Sequence, residues 1–239
     1  REHQHAVDNT ESGAKVLAGT VEIASVRPWH GWFAVYGIVE SGTKLWAANC
    51  HARTARYFEA LINQDGNVVV RNALYGNPVG SWDMVSQITD SGGCSFVGID
   101  YVSGILHLVY TRDGTVYWRV SNDEGTSFRE EHTIMAGGIL NRIKSSPLGD
   151  KVIATFKYDS GDSGPGKIYA SRMLSGDLDW STPEPIKGSD ENPLSVTDDG
   201  FDISYGYANG RWVLTAVLNG DTEPSTFVSF DYLESVRKC

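Results

Sequence analysis

The chain has 239 residues, 41% of them hydrophobic and 11% aromatic, enough to bury a core as one all-β domain or two small ones and too apolar for a disordered chain. A formal net charge of −10 disfavours phosphate backbones and anionic membrane surfaces, which excludes nucleic acid as the expected partner. No run approaches the roughly 18 to 20 continuous apolar residues of a membrane-crossing helix, so membrane insertion is not expected.

Residues 1–13 are polar and aperiodic and read as a flexible tail or linker, leaving 14–239 as the folded domain. Because the chain begins at Arg1 without a signal-like apolar block, it is read as a processed product or an excised domain. A short strand is expected near Lys15 to Ala18. From there an extended stretch followed by a hairpin recurs four times. The stretches are Val21 to Val26, Phe96 to Tyr101, Arg142 to Ser146 and Phe201 to Tyr207. The hairpins pair Trp32–Val39 with Lys44–Asn49, Ile105–Thr111 with Thr115–Ser121, Val152–Lys157 with Ile168–Met173, and Arg211–Leu218 with Thr226–Phe230. Tyr57 to Gly93 fits the repeat least well, although Asp65-Gly66 marks a hairpin between Phe58–Asn63 and Asn67–Asn72. No long amphipathic helix is visible; Ser86–Asp90 and Tyr232–Lys238 are read as single turns.

Antiparallel units recurring at roughly 45 to 70 residues predict a small β-propeller of four to five blades, with a β-sandwich as the alternative. The last repeat is read as ending near Asp231, so the N-terminal strand is expected to complete the last blade and close the ring without an open edge. Of the three cysteines, Cys50 and Cys94 are read either as a single bridge or as buried thiols, with Cys239 free.

The most specific motif is Ser121-Asn122-Asp123-Glu124-Gly125-Thr126-Ser127-Phe128, directly after a predicted strand. Its chemistry is that of a turn: Ser and Asp oxygens satisfy backbone N–H groups, Gly takes a conformation other residues avoid, and the aromatic ring tucks beneath. A second copy is read at Ser175, Asp177 and Trp180; the first and last repeats have none. This motif resembles the Asp box of the sialidase-like propeller superfamily, which marks the turn between third and fourth strands of a blade and implies fold without implying catalysis. The catalytic pattern of sialidases departs from the chain: Arg27 is followed directly by Pro28, and 239 residues are short for six blades. Gly161-Asp162-Ser163-Gly164-Pro165 resembles the nucleophile loop of trypsin-like proteases, but it lacks the second glycine before proline, and His51 follows Cys50 instead of preceding it.

In a propeller the turns between second and third strands and the connections between blades open on one face. There the repeat places Asp113, Asp159, Asp162 and Asp221, joined by Asp190, Glu191, Asp198, Asp199 and Asp202. Such crowding calls for a cation or a basic ligand, unless the aspartates are plain solvated turn residues. Asp159 and Asp162 offer closely spaced oxygens suited to Ca²⁺. Trp82, in a turn-rich context, is a candidate platform for sugar stacking beside the ligand-binding candidates Asp113, Asp199 and Asp221.

These features predict a non-catalytic recognition domain, the glycan- or receptor-binding head of a surface or viral spike or fibre protein, on an extracellular or virion surface. A glycoside hydrolase with Asp113 and Asp159 as paired carboxylates is the first alternative. A structural protein–protein module is the second.

Overall fold

A computed structural model describes residues 16–17, 20–28, 32–40, 47–51, 56–74, 82–146, 151–158, 166–174, 179–206, 211–229 and 231–239. The predicted tail at 1–13 lies outside them. Val16–Leu17 (β1), Thr20–Pro28 (β2) and Trp32–Glu40 (β3) form a first sheet. Ala47–His51 (β4), Arg56–Ile62 (β5), Val68–Leu74 (β6) and Met84–Gln87 (β7) form a second. Cys94–Val102 (β8), Ile105–Arg112 (β9), Thr115–Ser121 (β10) and His132–Ala136 (β11) form a third. The remaining strands make two four-stranded halves of one sheet. One half holds Gly138–Ser145 (β12), Lys151–Tyr158 (β13), Gly166–Leu174 (β14) and Glu184–Pro185 (β15); the other holds Ser195–Gly206 (β16), Arg211–Leu218 (β17), Ser225–Ser229 (β18) and Arg237–Lys238 (β19). They meet where Gly166 pairs with Val196 and Lys167 with Ser195.

Every pairing between the named strands is antiparallel, and local turn chemistry sets most of the register. Ser103-Gly104 and Asp113-Gly114 hold positive φ at both positions, the two-residue geometry that matches the twist of a hairpin. At Asp65-Gly66 the Asn63 carboxamide oxygen accepts from the N–H groups of Asp65 and Asn67 at 3.1 and 2.9 Å, fixing β5 against β6.

Strands β9 and β13 are buried on both faces along most of their length, so their alternation sorts residues between two neighbouring cores and not between core and water. On β9, Leu106, Leu108 and Tyr110 join Phe58, Ile62 and Val70 of the second sheet, while Val109 joins Trp118, Leu140, Val152 and Phe156 on the side of the β12–β15 half. On β13, Ile153 faces the opposite way, into a third core with Trp212, Leu214 and Phe227. The first strands lie beside one another in succession: β4 against β8, β8 against β12, β12 against β16.

Ser121 Oγ donates to Asp123 Oδ1 at 2.6 Å and accepts from Gly125 N–H at 2.8 Å, while Asp123 accepts from the N–H and hydroxyl of Ser127. These bonds, led by the Ser121 hydroxyl, hold the Asp123 carboxyl down at about 2. The same pattern recurs at the C-terminal end. Ser229 Oγ donates to Asp231 Oδ1 at 2.6 Å and accepts from Leu233 N–H at 2.9 Å, and Asp231 accepts from the N–H and hydroxyl of Ser235 at 3.1 and 2.7 Å. Tyr232 and Leu233 sit at φ 60° and 67° where Glu124 and Gly125 sit at 58° and 86°. The last sheet therefore carries an Asp box, correcting the expectation that it has none.

Both boxes reach back to the preceding unit. The Glu124 carbonyl accepts from Asn72 Nδ2 at 2.9 Å, and its carboxylate meets Arg56 Nε at 2.9 Å. The Tyr232 carbonyl accepts from Arg172 Nε at 2.7 Å, and its ring lies 3.2 Å below Lys151 Nζ. Asn72 and Arg172 hold equivalent places, since their own carbonyls accept the amides of Asp83 and Ser181 that close the turns after β6 and β14. The third such place is Val120, whose carbonyl accepts from Arg129 and whose side chain has no donor. The following turn, which Val120 would have to hold, begins at Met173 and not at a serine. Its frame matches Met173 with Ser121 and Ser229, and Trp180 with Phe128 and Val236; Ser175 and Asp177 lie outside the described residues.

Several other expectations are corrected. Trp32–Glu40 pairs with β2, and Ala47–His51 pairs with β5 as the first strand of the second sheet, because β5 is buried along its length and needs a ladder on both edges. The stretch at Ser86 is part of strand β7, bonded to β6. The N-terminal strand does not complete the last unit: Val16–Leu17 pairs with β2, and the outer strand beside β18 is β19, carried there by the C-terminal box. Of the two readings of Cys94, a bridge or a buried thiol, the second holds: it is a buried free thiol, with Sγ 3.7 Å from Thr89 Oγ1.

If the boxes latch neighbouring units, Arg172→Ala and Asp231→Ala are each expected to lose about 1–2 kcal/mol, seen as a lower urea midpoint at unchanged m. The pair should be strongly non-additive, whereas Asn72→Ala with Asp231→Ala, in separate latches, should add. Additive behaviour of Arg172 with Asp231 would remove the latch.

Candidate functional site

The turns at one end of the sheets are stitched to one another through the backbone. Cys94 N–H donates to the Gly66 carbonyl at 3.0 Å, Asp113 N–H to Gly93 at 3.2 Å, and Gly137 N–H to Gly114 at 2.8 Å. Asn67 Oδ1 adds an acceptor for Gly92 N–H at 2.8 Å. Hairpin turns and inter-sheet connections thus alternate along a strip that presents exposed Asp65, Asp90 and Asp113. The approach at Gly93 is so close that a Cβ there would lie 2.4 Å from Asp113 Oδ1, and Gly93 itself holds φ +75°. Each loop borrows its rigidity from the next, which keeps the carboxylates in place before any ligand arrives.

The predicted site residues separate. Asp113 sits in the β9–β10 turn at φ 50°. Asp221 follows the equivalent β17–β18 turn, exposed, with Asn219 N–H donating to the Ser195 carbonyl at 2.8 Å. Asp199 falls within β16 and its side chain lies outside the described set, as do Asp159 and Asp162. Trp82 lies between β6 and β7, at the opposite end with the box turns, where Tyr57 stacks on it at 6.0 Å and the Arg71 guanidinium lies over it at 4.9 Å. Arg71 also meets buried Glu59 at 3.3 Å. Trp82 is therefore engaged by its own sheet and is not part of the acidic strip. Among the described residues no group of three or more His, Cys, Asp or Glu side chains stands together as a metal cage.

Sequence reasoning missed a mixed-charge cluster beside the strip. Glu131, just before β11, takes a two-pronged contact from Arg112, with Nη1 donating to Oε2 at 3.0 Å and Nη2 to Oε1 at 2.6 Å. The Tyr110 hydroxyl donates to the same carboxylate, Arg119 approaches it at 3.8 Å, and Arg112 lies 4.4 Å over the Tyr117 ring. The signal available was the period-two alternation of Tyr110 with Arg112 and of Tyr117 with Arg119, but Glu131 comes from an irregular segment ten residues beyond β10. Burial first, then the bond to Glu131, drives the Tyr110 hydroxyl far above the ordinary phenol range. Burial alone would raise the Glu131 carboxyl; the Tyr110 and Arg112 bonds overcome it and hold it low. Tyr110 is wholly buried, so the hydroxyl is a fixed hydrogen-bond donor and not a nucleophile that a substrate can reach.

No family model matches the sequence, and no curated protein matches it. Solved structures do. A protein of unknown function from Dyadobacter fermentans superposes with a TM-score of 0.59 at 10% identity, over 82% of this chain and 68% of that one. The lectin BP39L from Burkholderia pseudomallei gives 0.58 at 13% identity, over 88% and 63%. A Trypanosoma rangeli sialidase in complex with sialic acid gives 0.56 at 11% identity, over 95% of this chain and 43% of the sialidase. The chain thus shares an all-β fold with these structures, and spans less than half of that sialidase.

Two substitutions probe the strip and the cluster. Gly93→Ala is expected to displace the Asp113 carboxylate and to cost about 1–3 kcal/mol through strain at positive φ. Glu131→Gln keeps the shape but removes the charge from the fork, with an expected loss of about 1–2 kcal/mol on chemical denaturation.

Proposed function

We propose that this chain is a carbohydrate-recognition module that binds and does not catalyse, with the stitched strip of turns as its binding face. The observation that carries the reading is the set of three backbone bonds joining Gly66 to Cys94, Gly93 to Asp113 and Gly114 to Gly137. Sugars are flexible, hydroxyl-rich ligands, and a pre-ordered row of carboxylate and carbonyl acceptors meets them at low ordering cost. The lectin and the sialidase among the structural neighbours, the latter holding sialic acid, lend the fold a precedent for saccharide ligands.

A five-bladed ring in which the first sheet and the last half lie next to each other is part of the same reading, supported by the succession β4, β8, β12, β16. Display on an extracellular or virion surface, as a head that docks on a cell-surface glycan or receptor, extends it further and is supported by the acidic composition alone. So does Ca²⁺ held at Asp159 and Asp162, supported by the spacing of their oxygens in the sequence. Adding Ca²⁺ to chelated protein is then expected to raise the unfolding midpoint selectively over Mg²⁺; equal response to both ions, or none, removes the metal.

The direct test is binding of the folded chain to a panel of neutral and acidic oligosaccharides, followed by titration calorimetry. Asp113→Asn is expected to weaken the best ligand about tenfold, the worth of one charge-assisted hydrogen bond. Trp82→Ala, at the other end, should leave affinity unchanged. Absence of any saccharide ligand, or loss on Trp82→Ala with none on Asp113→Asn, would overturn the reading.

A further inference from the structure

The face of β9 turned away from the second sheet carries Ile105, His107 and Val109, and His107 is out of place among them. Its side chain is only 2% exposed, and Nδ1 has no hydrogen-bond partner among the described residues. The imidazole lies 6.5 Å from the Trp118 ring and nearly parallel to it, at 14°. Trp118, also 2% exposed, meets Trp180 edge-on at 6.2 Å. Trp180 ends the turn after β14, so the stack crosses the seam between the third sheet and the β12–β15 half. The indole N–H groups of Trp118 and Trp180 are likewise buried and unpartnered.

The charged groups around this seam are committed elsewhere or exposed. Asp100, opposite His107 on β8, accepts from the backbone N–H groups of Tyr101 and Ser145 and feels Lys144 of β12. No hydrogen bond or ion pair joins it to His107. On β11, His132 lies 5.5 Å from Trp118 and is exposed, as is Asp179 beside Trp180. Otherwise β10, β12, β13 and β14 line this core with Val120, Ile143, Val152 and Met173, and Tyr169 of β14 packs against it.

We propose that the His107–Trp118–Trp180 stack is an acid-sensitive joint: a neutral imidazole fits the seam, and its protonation sets an unpaired cation there and loosens the third sheet from the β12–β15 half. The Trp118 face offers a cation only a weak attraction, smaller than the cost of burying an unpaired charge. Burial pushes the His107 imidazole down from 6.5 to about 4. A depressed folded-state value means that the stabilisation is complete above 6.5 and is lost as pH falls from there towards about 4, by about tenfold in the folding constant per pH unit within the window. Asp100 runs the other way: burial raises its carboxyl, so its proton uptake favours the folded state as pH falls.

The test compares wild type, His107→Phe and Asp100→Asn in urea at pH 7.5, 5.5 and 4.5, with tryptophan fluorescence and with amide exchange resolved by peptide. Wild type is expected to lose stability across this range, with exchange rising first in β10, β11 and residues 179–186. His107→Phe should flatten the profile, and Asp100→Asn should steepen it. Parallel profiles for wild type and His107→Phe would overturn the joint. Should His107→Phe not fold, the His107 ring-proton shift of wild type decides alone: titration below pH 5 supports the joint, and titration near 6.5 overturns it.

Discussion

A strand with apolar residues on both faces has no outside, and most of this molecule follows from that constraint. Strands β9 and β13 each place alternate side chains into two different cores, so each of their sheets is stable only with another on each side. Apolar packing is non-directional, however, and fixes no lateral register between neighbouring sheets. The box turns supply that register. Each extends one carbonyl and one side chain to the unit before it, at a place where that unit offers Asn72 with Arg56 or Arg172 with Lys151. Where the place is held by Val120, the matching position in the next turn is Met173, which is buried in the core.

The end opposite the boxes is built on another economy. Its turns use backbone groups for support, which leaves the side chains of Asp65, Asp90 and Asp113 exposed. The neighbouring cluster works in reverse: Glu131 is saturated by Arg112 and Tyr110, so its charge is spent on holding β9 to the segment before β11. One region is ordered and open; the other is ordered and closed.

Hairpins with strong turn chemistry were legible in the sequence. Asp65-Gly66, Asp113-Gly114 and the β13–β14 and β17–β18 pairings follow from turn residues between β-rich runs, and the box at Ser121 follows from its spacing. What the sequence concealed depended on partners far along the chain. Strand β4 looks like the end of the first hairpin until β5 claims it, and β7 is too short and polar to be recognised without β6. The second complete box was masked by Leu233, because reading the motif through glycine assumes that only glycine takes the turn. The separation of Trp82 from Asp113 required knowing which end of a strand each turn closes.

Leu233 also bears on whether the boxes are interchangeable parts. Over Gly125 the missing side chain is replaced by neighbours, since a Cβ there would meet Met84 at 3.0 Å and Leu106 at 3.4 Å. At the C-terminal box the turn brings its own filler: Leu233 is fully buried among the residues of the last core. Grafting the glycine version onto the last sheet would relax the backbone yet open a leucine-sized void, typically the costlier of the two at about 2–5 kcal/mol against about 1. The unit that can be transplanted between such sheets is therefore the turn together with the wall it rests on.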